Sequence, residues 1–242
     1  APKGPLPHWS EKATKANLNQ VPYLSVYSNP EPRGIQLLSD NAKKDTSDPI
    51  NLFSCVRNEF FRLKTLFKHY RSLGVTHFYF IDNGSTDGTL EWLMDQPNTT
   101  VFSTSESYQQ NECGHRWLTW LCSRFSKNQW CLVVDADELF TYPHFETIKI
   151  RPFIKFLDSE GATVFRSILL DMYPVHSISN AYLQNQTIQQ DSNHFEIESI
   201  FFKNHTALGG VRKRVFKIVP SLNKFVLFKC LPSLEIQQGC HN

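Results

Sequence analysis

The stretch "SCVRNEFFRLKTLFKHYRSLGVTHFYFIDNGSTDGTLEWL" (residues 54–93) changes its hydrophobic period several times within one run of chain. It opens at the end of "NLFSCV" (51–56), a short apolar run of strand type. Phe60, Leu63, Leu66, Phe67, Tyr70 and Leu73 then recur at helical spacing, up to Gly74, a residue suited to a left-handed helix end. "VTHFYFI" (75–81) is β-branched and aromatic and empties into the turn cluster "DNGSTDGT" (82–89), where Asp87 is the expected N-cap of a helix through "LEWLM" (90–94). Strand, helix, strand, turn, helix is a βαβ unit, and such units build parallel sheets.

The alternation continues outward. "TTVFS" (99–103) reads as a strand, 111–127 as a helix carrying Trp117, Leu118, Trp120, Leu121 and Phe125, and "WCLVV" (130–134) as a strand. "RPFIKFLDS" (151–159), with Pro152 at a first-turn position, predicts a helix; "ATVFRSILL" (162–170) predicts a strand, and the remainder is irregular and β-like. The fold expected is therefore an α/β sandwich with helices on both faces of a mostly parallel central sheet. Residues 1–48 are rich in Pro, Asn, Ser and Lys, with extended pieces at "PYLSVYS" (22–28) and "GIQLLS" (34–39). They are expected to form an N-terminal arm or hairpin laid on a main domain of 49–242, a length that one core accommodates.

Composition narrows the function class more than it names one. The chain has 40% apolar, 13% aromatic and 20% charged residues, which is globular and not disordered. Its 25 basic and 23 acidic residues are interspersed, so no basic field of nucleic-acid-binding type arises. No apolar run reaches the length of a membrane helix, and "APKGPLPHWSEK" (1–12) has no signal-peptide core. The six cysteines form no CxxC pair, which excludes zinc spacing and favours free thiols. These features point to a cytoplasmic protein, compatible with peripheral association at the inner membrane face. Glycosylation sequons at Asn83, Asn98, Asn185 and Asn204 keep a Golgi lumen as the alternative.

The chemistry concentrates in "WCLVVDADELF" (130–140), where apolar residues run directly into Asp135, Asp137 and Glu138. In open parallel sheets ligands bind beyond the carboxyl ends of strands, and both "DADE" and "DNGSTDGT" are expected there. If the segment stays extended, Asp135 and Asp137 share a face and suit one hard divalent cation, Mg²⁺ or Mn²⁺, which offsets their repulsion and leaves positions for phosphate oxygens. As turn formers facing solvent, the same acids would be ordinary. The chain contains no P-loop, no dinucleotide-binding glycine motif and no H-E-x-x-H helix. What remains for a strand-terminal D-x-D is a metal-held diphosphate leaving group or an aspartyl nucleophile of phosphatase type. Leu139 at the fifth position, and a motif past the chain's midpoint, fit the second poorly.

Residues 54–93 followed by "VVDADELF" (133–140) resemble the glycosyltransferase family 2-like enzymes of GT-A fold, in particular the branch with V-R-N-E, D-N-x-S-x-D-G-T and D-x-D-E motifs. "LGGVRKRVFK" (208–217) and "GCHN" (239–242) are similar to later segments of that group, and 160–205 has no clear counterpart. The resemblance implies a GT-A α/β/α sandwich and a metal-dependent, inverting transferase that uses a nucleotide sugar, chiefly a UDP-sugar, and a saccharide or glycan acceptor. It further implies a chain that runs on toward the C-terminus, and a role in making polysaccharide.

It also assigns roles. Arg57, Asn58, Glu59, Asp82 and Asn83 would hold the base and ribose, where carboxylates and amides suit ring N–H groups and hydroxyls. Arg116 would reach the diphosphate. Asp137 first, then Asp135, would hold the metal, with His241 as a late imidazole ligand, while Asp135 also faces the nucleotide. Glu138 would orient the acceptor or begin the next turn. The general base is sought among Asp171, Glu196 and Glu198, the last two sharing a face if "HFEIESIFF" (194–202) is a strand. Arg212, Lys213 and Arg214 beside Gly209 and Gly210 are expected to form a flexible basic loop over the diphosphate or an anionic acceptor. The competing readings are a D-x-D phosphatase or phosphotransferase and a non-catalytic glycan-binding relative.

Overall fold

The computed structural model describes residues 31–41, 48–174, 192–232 and 236. In chain order the elements are β1 (Gln36–Asp40), β2 (Asn51–Val56), α1 (Phe60–Leu73), β3 (His77–Asp82), α2 (Thr89–Met94), β4 (Thr99–Ser103), α3 (His115–Phe125) and β5 (Trp130–Val133). Then follow α4 (Ile150–Ser159), β6 (Val164–Ile168), β7 (Ile200–Lys203), β8 (Thr206–Gly209), α5 (Val211–Phe216) and β9 (Asn223–Lys229). The extended piece expected at 34–39 is β1; that at 22–28 lies outside the described residues.

One sheet of seven strands runs in the order β1-β4-β3-β2-β5-β9-β6. β2 pairs parallel with both β3 and β5, and β3 with β4. β9 lies antiparallel to β5 and to β6, so β6 points the same way as β5; β1 is antiparallel to β4. Five of the seven strands thus share a direction, in keeping with the mostly parallel α/β sandwich expected.

Two cores sit on opposite faces. Strand side chains alternate between them: Leu52, Phe78, Phe80, Val101 and Leu132 face α1, α2 and α4, whereas Phe53, Ile81, Phe102 and Cys131 face α3. On the first face Phe67 of α1 stacks on Phe78 with ring centroids 4.4 Å apart. Gly74 ends α1 in the left-handed conformation, φ 102°, where a side chain would be strained. The strand order follows from this layering. The right-handed crossovers β2-α1-β3 and β3-α2-β4 place successive strands to one side; α3, on the other face, returns the chain to the far side of β2 as β5. The order therefore reverses between β2 and β5, and the carboxyl ends of these strands are where open α/β sheets bind their ligands.

Three local expectations are corrected. The helix foreseen at 111–127 begins only at His115, because Glu112, Cys113 and Gly114 all have left-handed φ angles of 54° to 80° that cannot propagate a right-handed helix. The flexible basic loop around Arg212 and Arg214 is instead a helix, α5, entered from Gly210. Of "HFEIESIFF" only Ile200 onward is strand: Glu196 and Glu198 lie before β7, so they do not share a strand face. An Ile200 N–H to Ile197 carbonyl bond of 3.1 Å closes a turn there.

Candidate functional site

Two turns, at the carboxyl ends of β3 and β5 on either side of β2, frame the site. The first follows β3. Asp82 is 1% exposed, and its Oδ2 accepts the backbone N–H groups of Gly84 and Ser85, both at 3.0 Å. Its Oδ1 is buried without a hydrogen-bond partner in the structure. The turn is tied to the end of β2 through Asn58. Its N–H donates to Ser85 Oγ at 2.9 Å, and its Oδ1 accepts the Thr86 N–H at 2.8 Å. Asp87 accepts from Thr89 N–H (3.0 Å) at the start of α2, and also from Phe60 N–H (3.2 Å) at the start of α1. The N-cap of α2 is Gly88 and not the expected Asp87, which sits one residue earlier and clamps two helix N-termini together. Asn83 is buried, and its Nδ2 donates to the Thr104 and Glu106 carbonyls, leaving that sequon no room for a glycan.

The second turn follows β5. The strand stops at Val133, and Glu138 N–H to Asp135 carbonyl (3.1 Å) closes a turn over 135–138. The shared strand face expected of Asp135 and Asp137 is therefore not formed, since Asp137 sits in the turn and is exposed. Glu138 folds back, its Oε2 accepting the Asp135 N–H at 3.1 Å. α1 braces the turn: Tyr70 Oη donates to the Glu138 carbonyl and accepts the Phe140 N–H, each at 3.0 Å, and His69 Nε2 lies 2.8 Å from the Phe140 carbonyl.

Lys224, which no sequence motif marked, completes this corner. In the antiparallel ladder Leu132 faces Leu227, and continuing that register three residues brings Lys224 of β9 opposite Asp135. Its Nζ lies 2.9 Å from Asp135 Oδ2 and also contacts Glu138 Oε1. The lysine and glutamate side chains are 10% and 11% exposed, that of Asp135 51%. Burial pushes the Glu138 carboxyl above its ordinary range, with Asp135 adding and Lys224 opposing. Burial lowers the Lys224 ammonium, but Asp135 and Glu138 together outweigh it and hold it above the usual lysine value. The faint signal in sequence was a lysine at the same strand parity as buried Val226 in "NKFVLFK" (223–229).

The remaining candidates are placed as follows. Glu59 stands at the N-cap of α1 and pairs with Arg62 at 2.6 Å. Burial raises its pKa, Arg62 pulls it down, and the charges of Asp137 and Asp87 push it up again, so Glu59 and Asp137 belong to one electrostatic neighbourhood. Arg57 is exposed past β2. Arg116 is exposed on α3 and pairs with Glu112 at 3.1 Å, one turn back. Cys55 of β2 lies between the two turns: burial pushes its thiol up to about 12, with Asp135 and Asp82 contributing. Asp171, past the end of β6, pairs with Arg212 of α5 at 2.7 Å; Glu196 pairs with Arg214 at 2.5 Å, and Glu198 is exposed in a turn. His241 lies outside the described residues. Five cysteines among the described residues are free thiols.

The donor set bears on the cation that the resemblance implies. Among the described residues no three His, Cys, Asp or Glu side chains converge on one point as a metal cage. Asp137 offers an exposed hard carboxylate, while Asp135 is in contact with an ammonium. These residues fit Mg²⁺ or Mn²⁺ held by one or two carboxylates and completed by substrate phosphate oxygens, the usual habit of these ions. A cleft of about 270 Å³ lined by Asp48, Asn128, Trp130, Arg151, Asp158 and Lys229 lies at the opposite, amino-terminal ends of β2 and β5, away from every acid of this site. No helix among the described residues is long and apolar enough to cross a membrane.

No family model and no curated protein matches the chain. Among solved structures it is similar to the crystal structure of 4-diphosphocytidyl-2C-methyl-D-erythritol synthase, with 8% identity over 76% of each chain and a TM-score of 0.34. A likeness that low carries no argument about function, and the fold rests on the strand order and pairing described above.

Proposed function

We propose that the protein is a metal-dependent glycosyltransferase that moves a sugar, with inversion, from a nucleoside-diphosphate sugar, chiefly a UDP-sugar, to a saccharide acceptor. The observation that carries this reading is the position of the acids: Asp135, Asp137 and Glu138 follow β5 where the strand order reverses, and Asp82 ends β3 on the other side of β2. The exposed Asp137 on one side suits a bound cation, and the buried Asp82 on the other orders its turn through the Gly84 and Ser85 N–H groups.

In this reading Asp82 and the turn that it organises receive the base and ribose, and Asn58 fixes that turn. Asp137 holds the Mg²⁺ or Mn²⁺. When bound, the ion neutralises the charge that develops on the departing diphosphate. Glu138 and Tyr70 hold the backbone of the turn that carries Asp137. Asp171 is assigned as the group that accepts the acceptor hydroxyl proton; its support is its place just past β6, which runs in the same direction as β5.

The test is release of nucleoside diphosphate from a panel of UDP- and GDP-sugars with saccharide acceptors and Mn²⁺. The wild type is expected to turn over a UDP-sugar, and Asp137→Ala to lower the rate by about a hundredfold or more. Release of inorganic phosphate from phosphomonoesters, with no nucleotide-sugar turnover, would support the phosphatase reading in its place.

A further inference from the structure

Lys224 poses a question that the proposed reading leaves open. A site expected to attract a divalent cation already contains a cation of its own, covalently supplied and buried. Lys224 is 8% exposed, its ammonium touches Asp135 and Glu138 together, and the register of β9 against β5 delivers it there. Asp135, Glu138 and Lys224 carry a formal sum of one negative charge, in place of two for the carboxylates alone. Glu138 adds a second constraint: one oxygen contacts the ammonium and the other accepts the Asp135 N–H, so Asp135 is gripped at side chain and backbone alike.

Two consequences follow from charge and geometry. The attraction of the turn for a bare divalent ion is reduced by a like charge a few ångströms away, which burial of the lysine leaves only partly screened. One Asp135 oxygen, Oδ2, is engaged by the ammonium and the side chain is half-exposed, whereas Asp137 is the exposed carboxylate of the turn. One exposed carboxylate is a weak ligand for a hydrated Mg²⁺ or Mn²⁺, whereas one carboxylate plus two phosphate oxygens is a good one.

We infer that Lys224 is a positioning residue that holds Asp135 out of the metal's coordination, so that the divalent cation enters together with the nucleotide diphosphate and not before it. This rests on the proposed nucleotide-sugar reading for the identity of the diphosphate. The part that concerns Lys224 and the bare ion stands apart from it.

The experiment titrates the full chain with Mn²⁺ alone, reading the free ion by electron paramagnetic resonance, and uses no nucleotide. The variants are Lys224→Met, Lys224→Arg and the double variant Lys224→Gln/Glu138→Gln. The double variant removes both buried charges at once and so leaves no unpaired buried ion to threaten folding. Lys224→Met, which removes one positive charge, is expected to bind Mn²⁺ about tenfold tighter than the wild type; the double variant, whose formal charge equals the wild type's, about threefold tighter through the released Asp135 alone; and Lys224→Arg no tighter than the wild type. Adding Asp135→Asn to the double variant is expected to abolish the gain. A lysine with a merely structural role would lower stability on replacement without raising ion affinity. The inference is overturned if the folded double variant binds Mn²⁺ no better than the wild type, or if its gain survives Asp135→Asn. If UDP binds in none of these proteins while the Lys224 effect holds, the nucleotide reading fails and the counter-ion role stands.

Discussion

Asp82, Asp135 and Asp137 were legible in the sequence because each sits in or beside a strand whose end the hydrophobic pattern marks. Lys224 was not: its partner Asp135 is 89 residues away, and their meeting depends on the register of an antiparallel strand inserted between β5 and β6. The same limit applies to Tyr70, read as one more core residue of α1, whose hydroxyl turns out to brace the acidic turn. Glu59 yields a pH test at this scale. Burial raises its folded-state pKa above the unfolded value of about 4.3, so the ionised carboxylate costs stability once the pH passes that range, and costs nothing where both states are protonated. Glu59→Gln removes that cost, and the partly exposed pair with Arg62 that it also removes is worth little. The melting temperature of Glu59→Gln relative to wild type is therefore expected to rise between pH 4 and pH 7. A difference that is flat or falls over that range contradicts the assignment.

Elements with a full hydrophobic period were predictable and those built on backbone conformation were not. α1 follows from its apolar stripe, and β4 coincides with "TTVFS". The start of α3 was misplaced because three successive left-handed residues, two of them not glycine, stop a periodic pattern that otherwise continues. α5 is hidden in the sequence because three of its six residues are basic and the run is too short for a hydrophobic period to stand out. Its entry depends on Gly209 instead. There φ is 102°, and a Cβ would stand 2.3 Å from the Ser199 carbonyl oxygen, a backbone atom that cannot swing aside. Gly209→Ala is expected to destabilise the protein by about 1–3 kcal/mol in chemical denaturation, from backbone strain and the displaced strand partner. An unchanged midpoint would show that the junction between β8 and α5 adjusts freely.

At the scale of the whole molecule, the α/β class followed from the order of periodic segments, and the sheet bears it out. The position of β9, inserted antiparallel between β5 and β6, did not follow, since nothing local in "NKFVLFK" names its neighbours. That insertion is what brings a lysine to the acidic corner, so fold and site were hidden by one cause. The strand order reverses between β2 and β5, and the proposed function puts a nucleoside diphosphate with a divalent cation at the carboxyl ends of these strands. The direct measurement is calorimetric titration of UDP, with GDP for comparison, into wild type and Asp137→Ala, each with and without Mn²⁺. UDP is expected to bind only with Mn²⁺, more tightly than GDP, and not to Asp137→Ala. Failure of both nucleotides to bind under every condition, or UDP binding of equal strength in Asp137→Ala, would contradict it.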